Sequence, residues 1–382
     1  MNVLQVSKFY PPFMGGIESV TFELTEGLNR LGIRTDVLCA NTARKTVREG
    51  SAYRITRAGS FGRLLSTSMS PALIAEACRL RSAYDVIHVQ MPDPMAALAL
   101  WFARPQARIV LHWQSDVINQ RRALKLYEPL QTWLLRRADA IIATTPPYAE
   151  GSPLLQTWKS KVELIPIGIT PIDSRGAVDK ARALRERFGG RKIVFSLGRM
   201  TYYKGFDVLI DAARLLPADA VVVAGGGGEL LQSHRERVAA EGLAGRIEFI
   251  GRIPDEDIPG YFEAASVFCL SSIVRAEAYG VVLLEAMAMG KPIVTTDIPG
   301  SGVPWVNQHE ITGLNVPVGD SRAMAAALTR ILKDDALAAR FGQAGKQRFL
   351  THLTADVMVA RTLSLYQRVL GSPREANATP NL

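Results

Sequence analysis

Short runs of adjacent apolar residues recur along the chain, separated by longer stretches in which apolar positions return every three or four residues. In the first half the short runs are Val3 to Val6, Thr35 to Cys39, Asp85 to Val89, Arg108 to Trp113 and Ala140 to Ala143. In the second they are Ile193 to Leu197, Ala220 to Ala224, Ile247 to Ile250, Val267 to Leu270 and Pro292 to Thr295. Runs of this kind predict strands buried on both faces. The segments Glu18 to Leu31, Phe206 to Leu216 and Leu230 to Glu241 predict amphipathic helices between them. Buried strands alternating with helices give parallel sheets covered on both sides, and the pattern starts afresh after mid-chain. The expected class is therefore α/β, with two doubly wound domains and ligands held at the carboxyl ends of the strands, in the cleft between the domains.

A chain of 382 residues exceeds the usual limit for one hydrophobic core, which agrees with two domains. The break falls at Ile165-Pro166-Ile167-Gly168-Ile169-Thr170-Pro171, where Pro and Gly interrupt regular structure. The expected domains are residues 1–170 and 171–354, followed by an amphipathic helix over 355–372 and a disordered tail, 373–382. No apolar run is long enough to span a bilayer, because the best candidate, Met95 to Ala103, is bounded by Asp93, Pro94, Arg104 and Pro105. The N-terminal MNVLQVSKFYPP reads as a first strand and not as a signal peptide, so a cytoplasmic location is expected. Cys39, Cys78 and Cys269 lie far apart among apolar neighbours and read as ordinary buried thiols.

A net charge of +9 calls for an anionic partner: nucleic acid, anionic lipid or a phosphorylated small molecule. A nucleic-acid binder needs cations interleaved with aromatics on one face. Here the cations are dispersed, except Arg121, Arg122 and Lys125 at one end of a predicted helix and Arg136-Arg137 at the other, and no nucleic-acid partner is expected. That helix admits two readings, a core-facing element with solvated ends or a dock for an anionic membrane surface.

Candidate chemistry lies in the strand-to-helix loops. After the first strand come Gly15 and Gly16, a Gly pair that suits either a tight turn or backbone N–H contact with an anion. After the run Ile193 to Leu197 come Gly198, Arg199 and Lys204, two cations placed to converge on phosphate oxygens. Gly225 to Gly228 reads as a loop lining the cleft or as a plain turn into a helix. It lacks the spaced glycines of a dinucleotide fingerprint. His112 ends a strand; a lone His there is usually a satisfied core residue, but Asp116 close behind favours a functional reading. The segment RAEAYGVVLLEA puts Glu277 in a loop and Glu285 in a helix beginning near Gly280. Two acids flanking the N–H groups of Gly280, Val281 and Val282 fit a ligand with a central diphosphate and a sugar at each end.

In combination, the GGIE loop, GRMTYYKG, the glycine-rich loop, the Glu277…Tyr279-Gly280…Glu285 element and the segment from Gly300 to Leu314 resemble the retaining glycosyltransferases of family four, which have the GT-B fold of two Rossmann-like domains. HWQSD and GSGVPWVN resemble a subgroup that builds bacterial O-antigen and capsule chains with mannose- or rhamnose-type sugars. The resemblance implies that residues 1–170 face the acceptor and that 171–354 hold the nucleotide sugar, with the helix over 355–372 returning to the first domain. It implies that Arg199 and Lys204 grip the donor diphosphate, with Gly198, Tyr279, Gly280, Val281 and Val282 among the substrate-binding residues. Glu285 would hold the ribose, Glu277 the transferring sugar, and Arg252 and Ile253 the base. Gly16 would cover the phosphate from the N-terminal side and His112 would lie beside the reacting sugar, with Gly15 and Asp116 among the substrate-binding residues. The donor implied is a GDP- or UDP-linked sugar, the acceptor a glycan or lipid-linked oligosaccharide, and no cofactor or metal ion is required. A peripheral position at the inner face of the plasma membrane would suit such an acceptor. Two other readings compete: a sugar-nucleotide 2-epimerase of the same fold, which would need no acceptor, and a basic nucleic-acid-binding protein.

Overall fold

The computed structural model describes residues 1–13, 15–64, 67–116 and 121–373, with the side chains of 63, 64 and 121–126 outside that description. The chain forms two compact units, residues 1–168 with 355–382, and residues 169–354. The first contains an eight-stranded sheet built from β1 (Asn2–Ser7), β2 (Arg34–Ala40), β3 (Val47–Glu49), β4 (Ile55–Ala58), β5 (Val86–Met91), β6 (Arg108–Trp113), β7 (Ala140–Ala143) and β8 (Val162–Leu164). Its spatial order is β8-β7-β6-β5-β1-β2-β4-β3, parallel throughout except for the antiparallel β3–β4 pair. The central strands β1, β5 and β6 are buried along nearly their whole length, so both faces must be covered by helices. Among those helices are Gly16–Arg30, Pro94–Ala103 and the C-terminal Ala355–Gly371. The last packs on Gly16–Arg30 so closely that a β-carbon at Gly27 would collide with the Val359 side chain. Glycine there sets the approach of the two helices.

The second unit holds a six-stranded parallel sheet: β9 (Lys192–Leu197), β10 (Ala220–Gly225), β11 (Ile247–Gly251), β12 (Val267–Leu270), β13 (Ile293–Thr296) and β14 (Gly313–Val316), in the order β11-β10-β9-β12-β13-β14. Sequence neighbours β11 and β12 lie at opposite sides of the β10–β9 pair. The switch falls at β9, where a ligand pocket is expected in an open α/β sheet. The core between this sheet and its helices gathers Val194, Leu209, Ile210, Val222, Phe249, Leu328 and Phe341.

Every strand expected from the apolar runs is present. The short strands β3, β4, β8 and β14 were not signalled: β3, β8 and β14 are edge strands, which need only one covered face and carry polar residues such as Arg48, Glu49 and Asn315, and the inner strand β4 is four residues long with Thr56 and Arg57 in its run. Cys39 and Cys269 are buried as expected, but Cys78 is exposed on its helix, which corrects the reading of three buried thiols. The side chains of Arg121, Arg122 and Lys125, singled out for lipid contact, lie outside the described residues, as does the tail from 374. Among the described residues no helix is long and apolar enough to cross a membrane.

Candidate active site

The chain leaves β9 at Gly198, passes Arg199 and Met200, and makes one tight turn, Tyr202–Lys204, before the helix Phe206–Ala213. Gly205 joins turn to helix with φ +64, and a β-carbon there would overlap the Ser271 carbonyl oxygen. Both the backbone angle and the space demand glycine. The turn places the Lys204 ammonium 2.5 Å from Glu277 Oε2, and the Ser272 hydroxyl donates to the same oxygen at 2.9 Å. The two side chains are only 11% and 10% exposed. Burial opposes the Lys204 charge, but the Glu277 carboxylate outweighs it and raises the ammonium above the ordinary lysine pKa, against the repulsion of Arg199. Arg199 itself is exposed. The two cations therefore share one neighbourhood, Lys204 anchored and Arg199 reaching into solvent.

The two acids of RAEAYGVVLLEA have different surroundings. Glu277 lies in a loop strapped from below: the Ser301 hydroxyl donates to the Glu277 carbonyl at 2.5 Å, the Gly302 N–H donates to the Ala278 carbonyl at 2.8 Å, and Arg275 donates to the Gly300 carbonyl at 2.8 Å. Glu285 rises from the helix Val281–Ala288, half-buried. Burial pushes its carboxyl up to about 7, with the Asp255 carboxylate adding to the rise and the Lys204 ammonium opposing it. Among the described residues no hydrogen bond reaches that carboxyl. Gly280, at φ +76, precedes the helix and no side chain caps it, so the first N–H groups at Val281 and Val282 are available to an anion. Tyr279 is buried, and burial raises its phenol above the ordinary tyrosine value.

The glycine run serves the backbone. A β-carbon at Gly226 would overlap the Gly198 carbonyl oxygen, and one at Gly228 would overlap that of Met200. The Met200 N–H donates to the Gly227 carbonyl at 2.9 Å, and the Gly198 N–H to that of Gly225 at 3.0 Å. Four adjacent glycines thus let one loop lie flat against another and fix the main chain on either side of Arg199. Ile253 is buried beside Gly225, where an added β-carbon would strike Ile253 Cδ1, while Arg252 is exposed.

In the first unit, Gly15 precedes the helix Gly16–Arg30 and the Glu18 side chain folds back over it, with Oε2 2.5 Å from where a β-carbon at Gly15 would be. An acid in the first helical turn faces the partial positive charge of the helix N-terminus. The protein's own carboxylate therefore occupies part of the anion site expected there. Gly16 faces open space. Asp116 accepts from Trp113 Nε1 at 2.8 Å and from the Ser152 hydroxyl at 2.9 Å, and its N–H donates to the Tyr148 hydroxyl at 2.6 Å. His112 lies within β6 with no accessible surface, and burial lowers its pKa to about 3.

Sequence reasoning missed several supports. Ser272 acts on Glu277 from the same loop, while Ser301 and Asp255 act on Glu277 and Glu285 from remote loops. Arg57, on β4, donates to the Tyr10 carbonyl at 3.0 Å and to that of Pro11, and so holds the loop ahead of Gly15. A Ser before an acidic loop was visible; nothing along the chain connects Arg57 with Tyr10.

Known proteins resemble this chain in sequence and in fold. Residues 15–168 match the family described as "Glycosyl transferase 4-like domain", and residues 178–348 match that described as "Glycosyl transferases group 1". The chain is 32% identical over 374 residues to O-antigen chain mannosyltransferase C of Escherichia coli, covering 97% of this chain and 100% of that one. It is 32% identical over 361 residues to D-rhamnosyltransferase WbpZ of Pseudomonas aeruginosa, covering 93% of each. Sucrose-phosphate synthase from Thermosynechococcus elongatus has the same fold, with a TM-score of 0.80 at 23% identity over 96% of this chain and 98% of that chain. With both halves matched and full-length relatives at that identity, the chain belongs to the group 1 glycosyl transferases, enzymes of the GT-B fold.

Proposed function

We propose that this glycosyl transferase moves a mannose- or rhamnose-type hexose from a GDP- or UDP-linked donor to a glycan or lipid-linked glycan, with retention of configuration and without a metal ion. The sugar class is supported by the names of the two relatives, a mannosyl- and a rhamnosyltransferase. The observation that carries the reading is the grouping of Lys204, Arg199, Glu277 and Glu285 beside an uncapped helix N-terminus.

Breaking the bond between sugar and diphosphate leaves negative charge on the phosphate and positive charge on the anomeric carbon. Donors already fixed at the phosphate stabilise that state more than the ground state. Lys204, Arg199 and the N–H groups of Val281 and Val282 are such donors, and Gly198 lets the Lys204 stem lie close, 3.3 Å from an added β-carbon. Glu285, with no protein partner among the described residues, accepts from ribose hydroxyls. Glu277 holds Lys204 and turns its other oxygen to the sugar. An acceptor hydroxyl attacks the anomeric carbon on the face the diphosphate leaves, and its proton passes to a departing phosphate oxygen.

A net charge of +9 supports transient attraction to anionic lipid at the inner membrane face, where a lipid-linked acceptor would be met. The test is a thermal-shift panel of nucleoside diphosphates, because a ligand at a hundred times its Kd stabilises by about 2.7 kcal/mol. Stabilisation by one base, with release of that diphosphate from its sugar only when glycan is present, is expected. No shift with any of them would overturn the reading.

A further inference from the structure

One face of the first sheet carries a buried polar layer that no step above uses. Gln5 on β1 is in register with His88 on β5, and Gln90 on β5 with His112 on β6, so their side chains share a face of the parallel sheet. Gln114 follows on the same face, and Thr144 lies two residues past Ile142, the register partner of His112. Gln5, His88, Gln90, His112 and Thr144 are at most 1% exposed and Gln114 is 7% exposed. The C-terminal helix brings Tyr366 onto this face: its hydroxyl bonds His88 Nδ1 and accepts from Gln5 Nε2 at 3.4 Å. The His88 and His112 rings lie 5.3 Å apart, and Gln114 Nε2 donates to Gln90 Oε1 at 2.9 Å. Yet among the described residues Gln5 Oε1, His88 Nε2, Gln90 Nε2, both His112 nitrogens and Thr144 Oγ1 have no partner. Orphan groups gathered at this density, on adjoining strands, are the condition under which proteins hold internal water.

We propose that Tyr366, His88 and His112 are positioning residues. With internal water they form one hydrogen-bonded layer from the C-terminal helix to the loop Gln114–Asp116, so that this helix sets the loop's geometry for sugar transfer. The role in transfer rests on the function proposed above; the layer itself does not. Both imidazoles are neutral, since burial lowers them far below the ordinary histidine range, and a neutral ring both donates and accepts, as a relay through water requires.

The test uses Tyr366→Phe, which removes one hydroxyl and keeps the ring, in the full-length protein. Imidazole nitrogen NMR on the wild type should show both His112 nitrogens hydrogen-bonded. In the variant the His88 and His112 signals should both move, although His112 does not touch Tyr366. Nucleoside-diphosphate release should fall about tenfold in kcat with donor KM within twofold, measured well below the unfolding temperature. Unmoved His112 signals would overturn the layer. Moved signals with unchanged kcat would overturn its role in transfer. If the wild type transfers nothing from any donor, the functional reading has failed, and the NMR arm still decides the layer.

Discussion

Glu285→Gln should make the ligand-free protein more stable at alkaline pH while weakening its hold on nucleotide. The carboxyl is raised from an ordinary 4.5 to about 7 by burial first and by Asp255 second. A raised acid means that folding favours the protonated form. Stability from this group is complete below 4.5 and is lost as pH rises to about 7. At about 1.4 kcal/mol per pH unit the ionised carboxylate costs the folded state about 3 kcal/mol, and its partial exposure reduces this to about 2 kcal/mol. Gln keeps the shape and cannot ionise. At pH 8 the variant should therefore gain about 2 kcal/mol, or about 4–8 °C in the Tm of the second unit, and most of the gain should vanish at pH 5. Affinity for the nucleoside diphosphate should drop by about 1.5–3 kcal/mol, the value of a hydrogen bond to a charged group. Thermal and urea unfolding at both pH values, beside titration calorimetry, read the two effects. No gain at pH 8, or an equal gain at pH 5, would refute the assignment of Glu285 as a buried, unpartnered acid.

In a double-mutant cycle, Lys204→Met with Glu277→Gln should show a coupling of about 1–3 kcal/mol in urea unfolding, and a value below about 0.5 would mean the buried pair does not act as one. Because Glu277 anchors Lys204, Glu277→Gln should also weaken nucleoside-diphosphate binding as well as turnover, and calorimetry showing unchanged affinity would separate the two residues. His112 is lowered to about 3, so its contribution is complete above about 6.5 and is lost as pH falls; by pH 5 the wild type should lose about 2 kcal/mol that His112→Gln does not, and parallel pH curves would contradict this. Transfer should continue in excess EDTA, and activity that collapses on chelation and returns with magnesium would show that a cation is required.

The fold was legible because parallel sheets impose the plainest pattern available to a sequence: a central strand such as β10, from Ala220 to Gly225, must be apolar on both faces, and helices must alternate with such strands. Edge strands escaped because β3 and β8 need no such run. Site loops could be placed from the same pattern, since Arg199, Glu277 and Asp116 each follow a strand. Pairings within the site could not. Lys204 and Glu277 are 73 residues apart, and they meet only because Gly205 lets the turn close against Ser271. The glycine run stayed open between two readings because close approach of backbone to ligand and of backbone to backbone ask for the same residue. His112 was ambiguous for a related reason: a polar residue near a strand's end can open onto a ligand or close into a buried layer, and the residues it shares a face with come from β1, β5, the end of β7 and the last helix.

The two acids of the Glu277–Glu285 segment thus receive different tasks from their surroundings. Glu277 already has a cation and a hydroxyl, so its electrostatics are settled before any ligand arrives. Glu285 has no hydrogen-bond partner among the described residues and feels Lys204 only as the weaker influence against burial and Asp255, so near pH 7 it is divided between protonated and ionised forms. A diphosphate arriving beside it brings more negative charge, which alone would drive it to take up a proton. Hydrogen bonds donated by ribose hydroxyls act in the opposite direction, because they favour the carboxylate. If Glu285 holds the ribose, the second effect must win, and binding at pH 7 should release a fraction of a proton. Calorimetric titrations of the nucleoside diphosphate in buffers of different ionisation enthalpy measure that proton directly, and Glu285→Gln should abolish it. Net proton uptake traced to Glu285 would mean that the residue faces phosphate in its protonated form, and the ribose would have to be held elsewhere.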